Sequence, residues 1–404
     1  MPMNTRRALA FIFCTVTLDV LALGVMIPVL PGIVLGFMGG DTAGAAEIFG
    51  VFATVWGLMQ VLFSPLLGAL SDRFGRRPVI LISCLGLGLD YIFMALAPSL
   101  LLLFVGRVIS GITAATISTS FAYIADVTTA DNRAKAFGIV GMAFGAGFVL
   151  GPAIGGLLGG LDPRLPFWVS AAACLINAAF GWFVLPESLP PERRMPFAWK
   201  RANPLGSLVL LRSHRHLIGL ASVDFLANVA HQVLPSVFVL YAAYRYGWGE
   251  TTIGLTLALV GICSALVQGL LVGPIVGRLG PRRALFAGLV MGGLGMVIYG
   301  LAPSGAWFLV GVPIMALWGI AGPAAMDMMS RQVSASEQGQ LQGANSSVRS
   351  LAGLLAPGLF AGTFAWLLGW LPGAPFLLAA ALLAAAAVVS WVVTAPSPPD
   401  GRRR

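Results

Sequence analysis

The chain has 404 residues, 58% of them hydrophobic and only 10% charged, with a mean hydropathy of +0.90 and a net charge of +9. Soluble domains carry about 25% charged residues, so a soluble enzyme or binding module is excluded. The positive charge does not mark a nucleic-acid-binding protein either, because no basic face outside the apolar segments is large enough to follow a phosphate backbone.

Apolar runs lie near 8–30, 47–70, 78–97, 99–125, 135–159, 165–185, 217–241, 251–277, 283–302, 305–329, 339–367 and 372–394. Each reaches the roughly 20 residues that cross a bilayer as a helix. Spanning segments must be helices or closed barrel strands, and continuous runs without period-two alternation exclude the barrel. The sequence therefore predicts an all-α membrane protein with twelve transmembrane helices. When loops are assigned alternately to the two sides, all but four of the 24 Lys and Arg fall on the side that holds both termini; the exceptions are Arg107, Arg164, Arg245 and Arg349. The positive-inside rule places that side in the cytoplasm, with the bilayer as the partner of the apolar surface. The N-terminal run is too long for a signal h-region and is expected to be retained. Cys14, Cys84, Cys174 and Cys263 all fall inside spans, and suggest packing rather than disulfides or a metal set.

In chain order, span one carries Asp19 near its middle and span two carries Gln60. Between spans two and three, GALSDRFGRRPVIL at 68–81 supplies Gly68, Asp72, Arg73, Gly75, Arg76 and Arg77. Gly68 is expected to permit close helix approach, and Asp72 to pair with arginines at a helix end. Asp90 lies mid-way along span three and Arg107 in span four, with Asp126 at a helix end as a partner for basic groups. In span five, MAFGAGFVLGPAIGGLLGG at 142–160 brings Gly147, Gly151, Pro152, Gly155 and Gly156 together, which flattens a helix face and permits bending. Residues 186–215, rich in Pro and basic groups, read as a cytoplasmic tether, with a short amphipathic helix near 204–211 as an alternative.

Span seven contains LASVDFLANVAHQV at 220–233. Its Asp224, Asn228, His231 and Gln232 stand at i, i+4, i+7 and i+8, one face of a helix. Gln268 follows in span eight, Asp327 in span ten and Arg349 in span eleven. Ionisable groups at membrane depth are costly and mark function or neutralising pairs. Buried carboxylates such as Asp19, Asp90 and Asp224 can exchange protons near neutrality.

Gly68, Arg73 and Gly75 recur at Gly273, Arg278 and Gly280, a spacing of 205 residues. The same spacing pairs Asp19 with Asp224, Gly106 with Gly311, Gly138 with Gly343 and Pro152 with Pro357. The chain is therefore read as two duplicated halves: 1–187 and 216–394, with a linker at 188–215 and a tail at 395–404. Such parallel repeats suit a carrier that binds substrate near the midplane and alternates access.

This organisation resembles the major facilitator superfamily. The 68–81 stretch matches its Gly-x-x-x-Asp-x-x-Gly-Arg-Arg loop, and the resemblance implies a gating role for Gly68, Asp72, Arg73, Gly75, Arg76 and Arg77. The span-five glycines resemble the family's antiporter motif. LDVLALGVMIPVLP at 18–31, LDY at 89–91, AYIADVTTADNRAKAFG at 122–138 and SRQVSASEQGQLQG at 330–343 are similar to the tetracycline/proton antiporters. The resemblance implies proton-coupling roles for Asp19, Asp90 and Arg107, and substrate contact by Gln60 and Gln268. It departs at Ser264 and Gly292, where those antiporters carry a histidine and an aspartate. Asp224 and His231 are expected to supply the missing polarity, with Asn228 and Gln232 beside them at the substrate.

The expected function is export of a small amphipathic molecule by a proton-driven, monomeric antiporter in the bacterial inner membrane. It needs no cofactor beyond the proton gradient and is not an enzyme; no GxxxxGK[ST] loop for direct ATP coupling is present. A nutrient-uptake symporter and a non-transporting receptor or scaffold are the rival readings.

Overall fold

The computed structural model describes residues 5–114, 116–128, 130–194, 215–334 and 338–395. The helix expected near 204–211, most of the linker and nearly all of the tail lie outside the described residues.

Every predicted apolar run is helical. Span one is α1 (Thr5–Met26) followed by α2 (Leu30–Phe37). Span two is α3 (Thr42–Phe74), which starts where Asp41 accepts the Ala43 and Gly44 amides at 3.1 Å, a side-chain N-cap. Spans three to six are α4 (Arg76–Leu96), α5 with α6 (Leu100–Thr113 and Thr116–Val127), α7 (Ala130–Gly159) and α8 (Leu165–Val184). Span seven is α9 (Arg215–His231) with α10 (Val233–Tyr246). Span eight, α11 (Glu250–Leu266), runs through a π-helical turn, Val267–Leu271, into α12 (Val272–Leu301). α12 is kinked at Gly280 (φ 75°), before Pro281, and its second part is span nine. Span ten is α13 (Gly305–Ala316), a 3-10 turn at Leu317–Ile320 and α14 (Ala321–Ser330). Spans eleven and twelve are α15 (Gln338–Leu367) and α16 (Ala374–Val393).

The interruptions follow a rule. Apart from the π-helical turn of span eight, they fall in spans one, four, seven and ten, at residues 27–29, Ala114, Gln232 and Leu317–Ile320. Every third span is thus broken. Broken helices free backbone groups at membrane depth, which is tolerated where they are buried in protein or line a water-filled cavity. Asp19, Arg107, Asp224 and Asp327 all stand on these spans.

Packing divides the chain into two compact units. The first comprises Met1–Pro204, Pro235–Ile262 and Pro357–Leu368; the second comprises Leu205–Leu234, Cys263–Ala356 and Gly369–Arg404. Within the first, span one packs mainly on spans five and six, and span three on span six. Within the second, spans seven and nine pack on span twelve. Large apolar side chains stand open on the outside, Phe183 at 84% and Trp366 at 85% exposure. Lipid is the solvent such side chains require.

The duplication is visible in the packing. A methyl group placed on Gly106 would lie 2.5 Å from Met94 Cγ, and one on Gly311 would lie 2.9 Å from Tyr299 Cε1. Met94 and Tyr299 are separated by the same 205 residues as the two glycines. Spans three and four therefore meet as spans nine and ten do.

Candidate functional site

Three charged side chains are buried together among the N-terminal helices: Asp19 at 7% exposure, Asp90 at 2% and Arg107 at 6%. Asp19 is tethered. Asn177 of span six donates to its Oδ1 at 3.1 Å, and the Cys84 thiol approaches the same oxygen at 3.8 Å. Cys84 is therefore a weak donor at the site, in addition to being a packing residue. Asp90 differs: neither of its carboxylate oxygens has a hydrogen-bond partner among the described residues. Arg107 is near enough for its charge to act on Asp90, yet forms no ion pair with it. The guanidinium instead lies over the Trp56 ring, 5.2 Å from its centroid, with Nη1 3.9 Å from Met26 Sδ. A desolvated cation over an indole face is a favourable arrangement. It leaves the carboxylate unclaimed. Gln60, on the same helix as Trp56, is partly buried.

At the loop between spans two and three the chain turns on Gly75, with φ 106°, a backbone region that favours glycine. Arg76 is the hub. Its guanidinium meets Asp72 Oδ1 at 2.6 Å, Ser71 Oγ at 2.6 Å and Asp126 Oδ2 at 3.0 Å. Asp126 is thus the structural partner that its position suggested. Glu187, past the end of span six, accepts the backbone amides of Arg76 at 2.8 Å and Arg77 at 3.3 Å, capping α4. Arg77 donates to Trp182 O at 2.5 Å and lies over that ring, while Arg73 lies over Phe74. In the second unit, Arg282 repeats the pattern on Trp391: a 3.0 Å bond to its carbonyl and a 4.2 Å approach to its ring. The acidic partners are not repeated. Gly277 stands where the 205-residue spacing places the counterpart of Asp72. One expectation fails: among the described residues nothing lies within 4 Å of a methyl group built on Gly68, so none of them approaches closely there. Its carbonyl instead accepts from Ser71 Oγ at 2.8 Å.

The span-five glycines do make close approaches. Methyl groups on Gly147 and Gly151 would collide with span one, at 2.8 Å from Val20 Cβ and 2.7 Å from Gly24 Cα. Gly155 lies against the Val25 backbone. On the adjoining face, a methyl on Gly156 would sit 2.8 Å from Gly254 Cα at the start of span eight, and Thr251 Oγ1 donates to Gly156 O at 3.1 Å. α7 continues through Pro152 as one helix.

In the second unit the polar face of span seven is not one unbroken helical face. The helix ends at His231 and Gln232 occupies the turn, its amide bonded to Val229 O at 3.1 Å, ahead of Pro235. Asp224 is buried, Asn228 half-buried and His231 exposed, so polarity opens outward along the helix. Asn228 Nδ2 donates to the Asp224 carbonyl at 2.7 Å, and Asp224 Oδ2 has no partner among the described residues. His231 does not bond Asp224; its ring packs on Trp318, 5.5 Å between centroids. The Arg349 charge acts on both Asp224 and His231, and Gln232 reaches the neighbouring Gly353. Asp327 is neutralised by Arg331 at 2.8 Å rather than by Arg349. Gln268 sits in the π-helical turn, a distortion frequent at functional sites.

A model of the Major Facilitator Superfamily matches residues 9–357. The chain belongs to that superfamily. Within it, the chain is 40% identical over 356 residues to the tetracycline resistance protein, class C, of Escherichia coli, covering 88% of this chain and 89% of that protein. It is 36% identical to the class G protein of Vibrio anguillarum, covering 85% and 86%. Among solved structures, a bacterial homologue of the human lysosomal transporter Spinster superposes with a TM-score of 0.80 at 16% identity, covering 97% of both chains. That likeness establishes the fold. This major facilitator protein is thus a multi-pass transporter of small molecules from the tetracycline resistance group.

Several residues of this transporter's site escaped the sequence. Asn177 and Trp56 sit in apolar helices with no motif around them, and only packing brings them to Asp19 and Arg107. Trp318 looked like an ordinary apolar residue of span ten. Glu187 carried a detectable signal: an acid just past a helix end, beside a basic loop.

Proposed function

We propose that this transporter is a proton-coupled exporter of a small amphipathic molecule, a drug/proton antiporter like the tetracycline resistance proteins it resembles. Asp90 carries the proposal. It is a buried intramembrane carboxylate with neither oxygen bonded among the described residues, and Arg107, whose charge acts on it, lies over a tryptophan ring. Ionisable groups retained at such cost commonly form proton relays. Asp19, held by Asn177, and Asp224, beside Arg349, serve as further proton-exchanging positions. Gln60, Asn228, Gln232 and Gln268 contact the substrate, and His231 lies at the boundary of the two roles. A proton moving inward through 100 mV contributes about 2.3 kcal/mol, so the gradient drives transport without a cofactor. The Lys and Arg bias supports cytoplasmic termini in a bacterial inner membrane.

The test is proton movement in proteoliposomes on addition of amphipathic drugs, tetracycline included. Wild type should move protons, and Asp90→Asn and Asp224→Asn should not. If Asp224→Asn matches wild type, the polar face of span seven is structural. If no drug moves protons in any variant, the antiporter assignment fails.

A further inference from the structure

One groove lies apart from these residues. A cavity of about 430 Å³ opens between α3 and α15, at the ends of spans two and eleven away from the termini. Glu47, Val51, Thr54 and Val55 line it from α3, and Gly358 and Ala361 from α15. The α3 residues follow i, i+4, i+7, i+8 spacing and form one face; at 3.6 residues per turn Gln60 falls on the opposite side of that helix. The two helices touch closely beside the cavity, between the levels of Glu47 and Thr54, where a methyl on Gly50 would lie 2.5 Å from Ala361 Cβ. The walls are otherwise apolar, the composition of a small-molecule site with a few placed polar groups.

Two polar groups of the groove stand out, an exposed carboxylate and a buried hydroxyl. None of the ion pairs among the described residues involves Glu47, an exposed carboxylate near the start of the span. The Thr54 hydroxyl is buried with no hydrogen-bond partner among the described residues, although a helical threonine can bond the carbonyl four residues back. The two lie seven residues apart on the helix, roughly 10 Å at 1.5 Å per residue.

We propose that this groove binds a hydrophobic organic monocation: a molecule with one positive charge at Glu47 and a hydrogen-bonding group about 10 Å deeper at Thr54. An anion is repelled by Glu47, and a neutral molecule leaves the carboxylate uncompensated. A lipid amine satisfies Glu47 from the headgroup layer, but its hydrocarbon chains bring nothing to the Thr54 hydroxyl. Only a cation with a second polar group meets both.

The experiment is equilibrium binding of ethidium, a monocation with aromatic amino groups, to the full-length protein in phosphatidylcholine nanodiscs without a gradient. Its outcome is therefore separate from that of proton coupling. Glu47→Gln should weaken the bound component about 10-fold and Thr54→Val about 3-fold, on the scale of charged and neutral hydrogen bonds. Gly362→Trp, at a lining glycine where an added methyl meets nothing within 4 Å among the described residues, fills the groove and should remove it. Binding unchanged in all three variants overturns the site. Glu47-dependent loss of ethidium when phosphatidylethanolamine is added, with Thr54→Val indifferent, assigns the groove to a lipid amine and overturns the proposed ligand.

Discussion

Trp318 lies across Gly292 so closely that a methyl group at 292 would stand 2.7 Å from the indole Cγ. Gly288 and Gly295 face span ten in the same way, at 2.9 Å from the Ala321 amide nitrogen and 2.6 Å from Met315 Cβ. Spans nine and ten are thus closed by a stripe of glycines. Position 292 therefore has no room for a carboxylate side chain. The ring held in this stripe also meets His231, so the tryptophan that excludes a carboxylate from span nine also packs the polar face of span seven.

Gly292→Ala should therefore destabilise the protein by about 1–3 kcal/mol, the usual cost of overpacking. In a Trp318→Ala background the same substitution should cost much less, because the two positions share one contact. Thermal unfolding in detergent measures both. Equal stability of Gly292→Ala and wild type contradicts the tight contact.

The Arg76 hub makes a second prediction. Asp126→Asn keeps the shape but removes the charge facing Arg76 Nε, and should cost about 1–3 kcal/mol. Arg76→Lys should fare no better than Arg76→Ala, since an ammonium cannot reach Asp72, Ser71 and Asp126 with a fixed fork of donors. A lysine variant as stable as wild type shows that charge alone suffices.

Glu187 accepts four backbone amides: those of Arg76 and Arg77 and, at 3.0 Å each, those of Ser188 and Leu189. Glu187→Ala removes the cap of α4 and should cost about 1–2 kcal/mol. The local sign is faster amide hydrogen exchange at Arg76 and Arg77 with little change in span one. Unaltered exchange there would show that solvent replaces the carboxylate without loss.

Gly156 and Gly254 bring spans five and eight together at the ends away from the termini. Gly254→Val should wedge them apart. In a Thr251→Cys background, whose parent hydroxyl bonds Gly156 O at 3.1 Å, labelling by a membrane-impermeant maleimide should rise several-fold with the valine. No rise means the approach is incidental to access.

Much of this protein was legible in its sequence, because the bilayer imposes one rule on every segment. Backbone groups without water must bond within their own helix, so hydropathy alone located the twelve spans, and the 205-residue spacing exposed the duplication that Gly106 and Gly311 confirm in packing. The buried charges announced themselves by their cost. Their partners did not. Asn177 beside Asp19, Trp56 beneath Arg107 and Trp318 against Gly292 lie on helices distant in the chain, and one-dimensional periodicity gives a residue's face but not the neighbour across it. Gly68 shows the converse: a motif glycine whose expected contact is absent among the described residues. The breaks in spans one, four and ten were also hidden, since the chain stays apolar through them, whereas that of span seven falls at the polar pair His231 and Gln232. Composition decided the solvent and the element type. Side-chain contact between helices decided which carboxylate is tethered, which stands unclaimed, and where a carboxylate cannot fit.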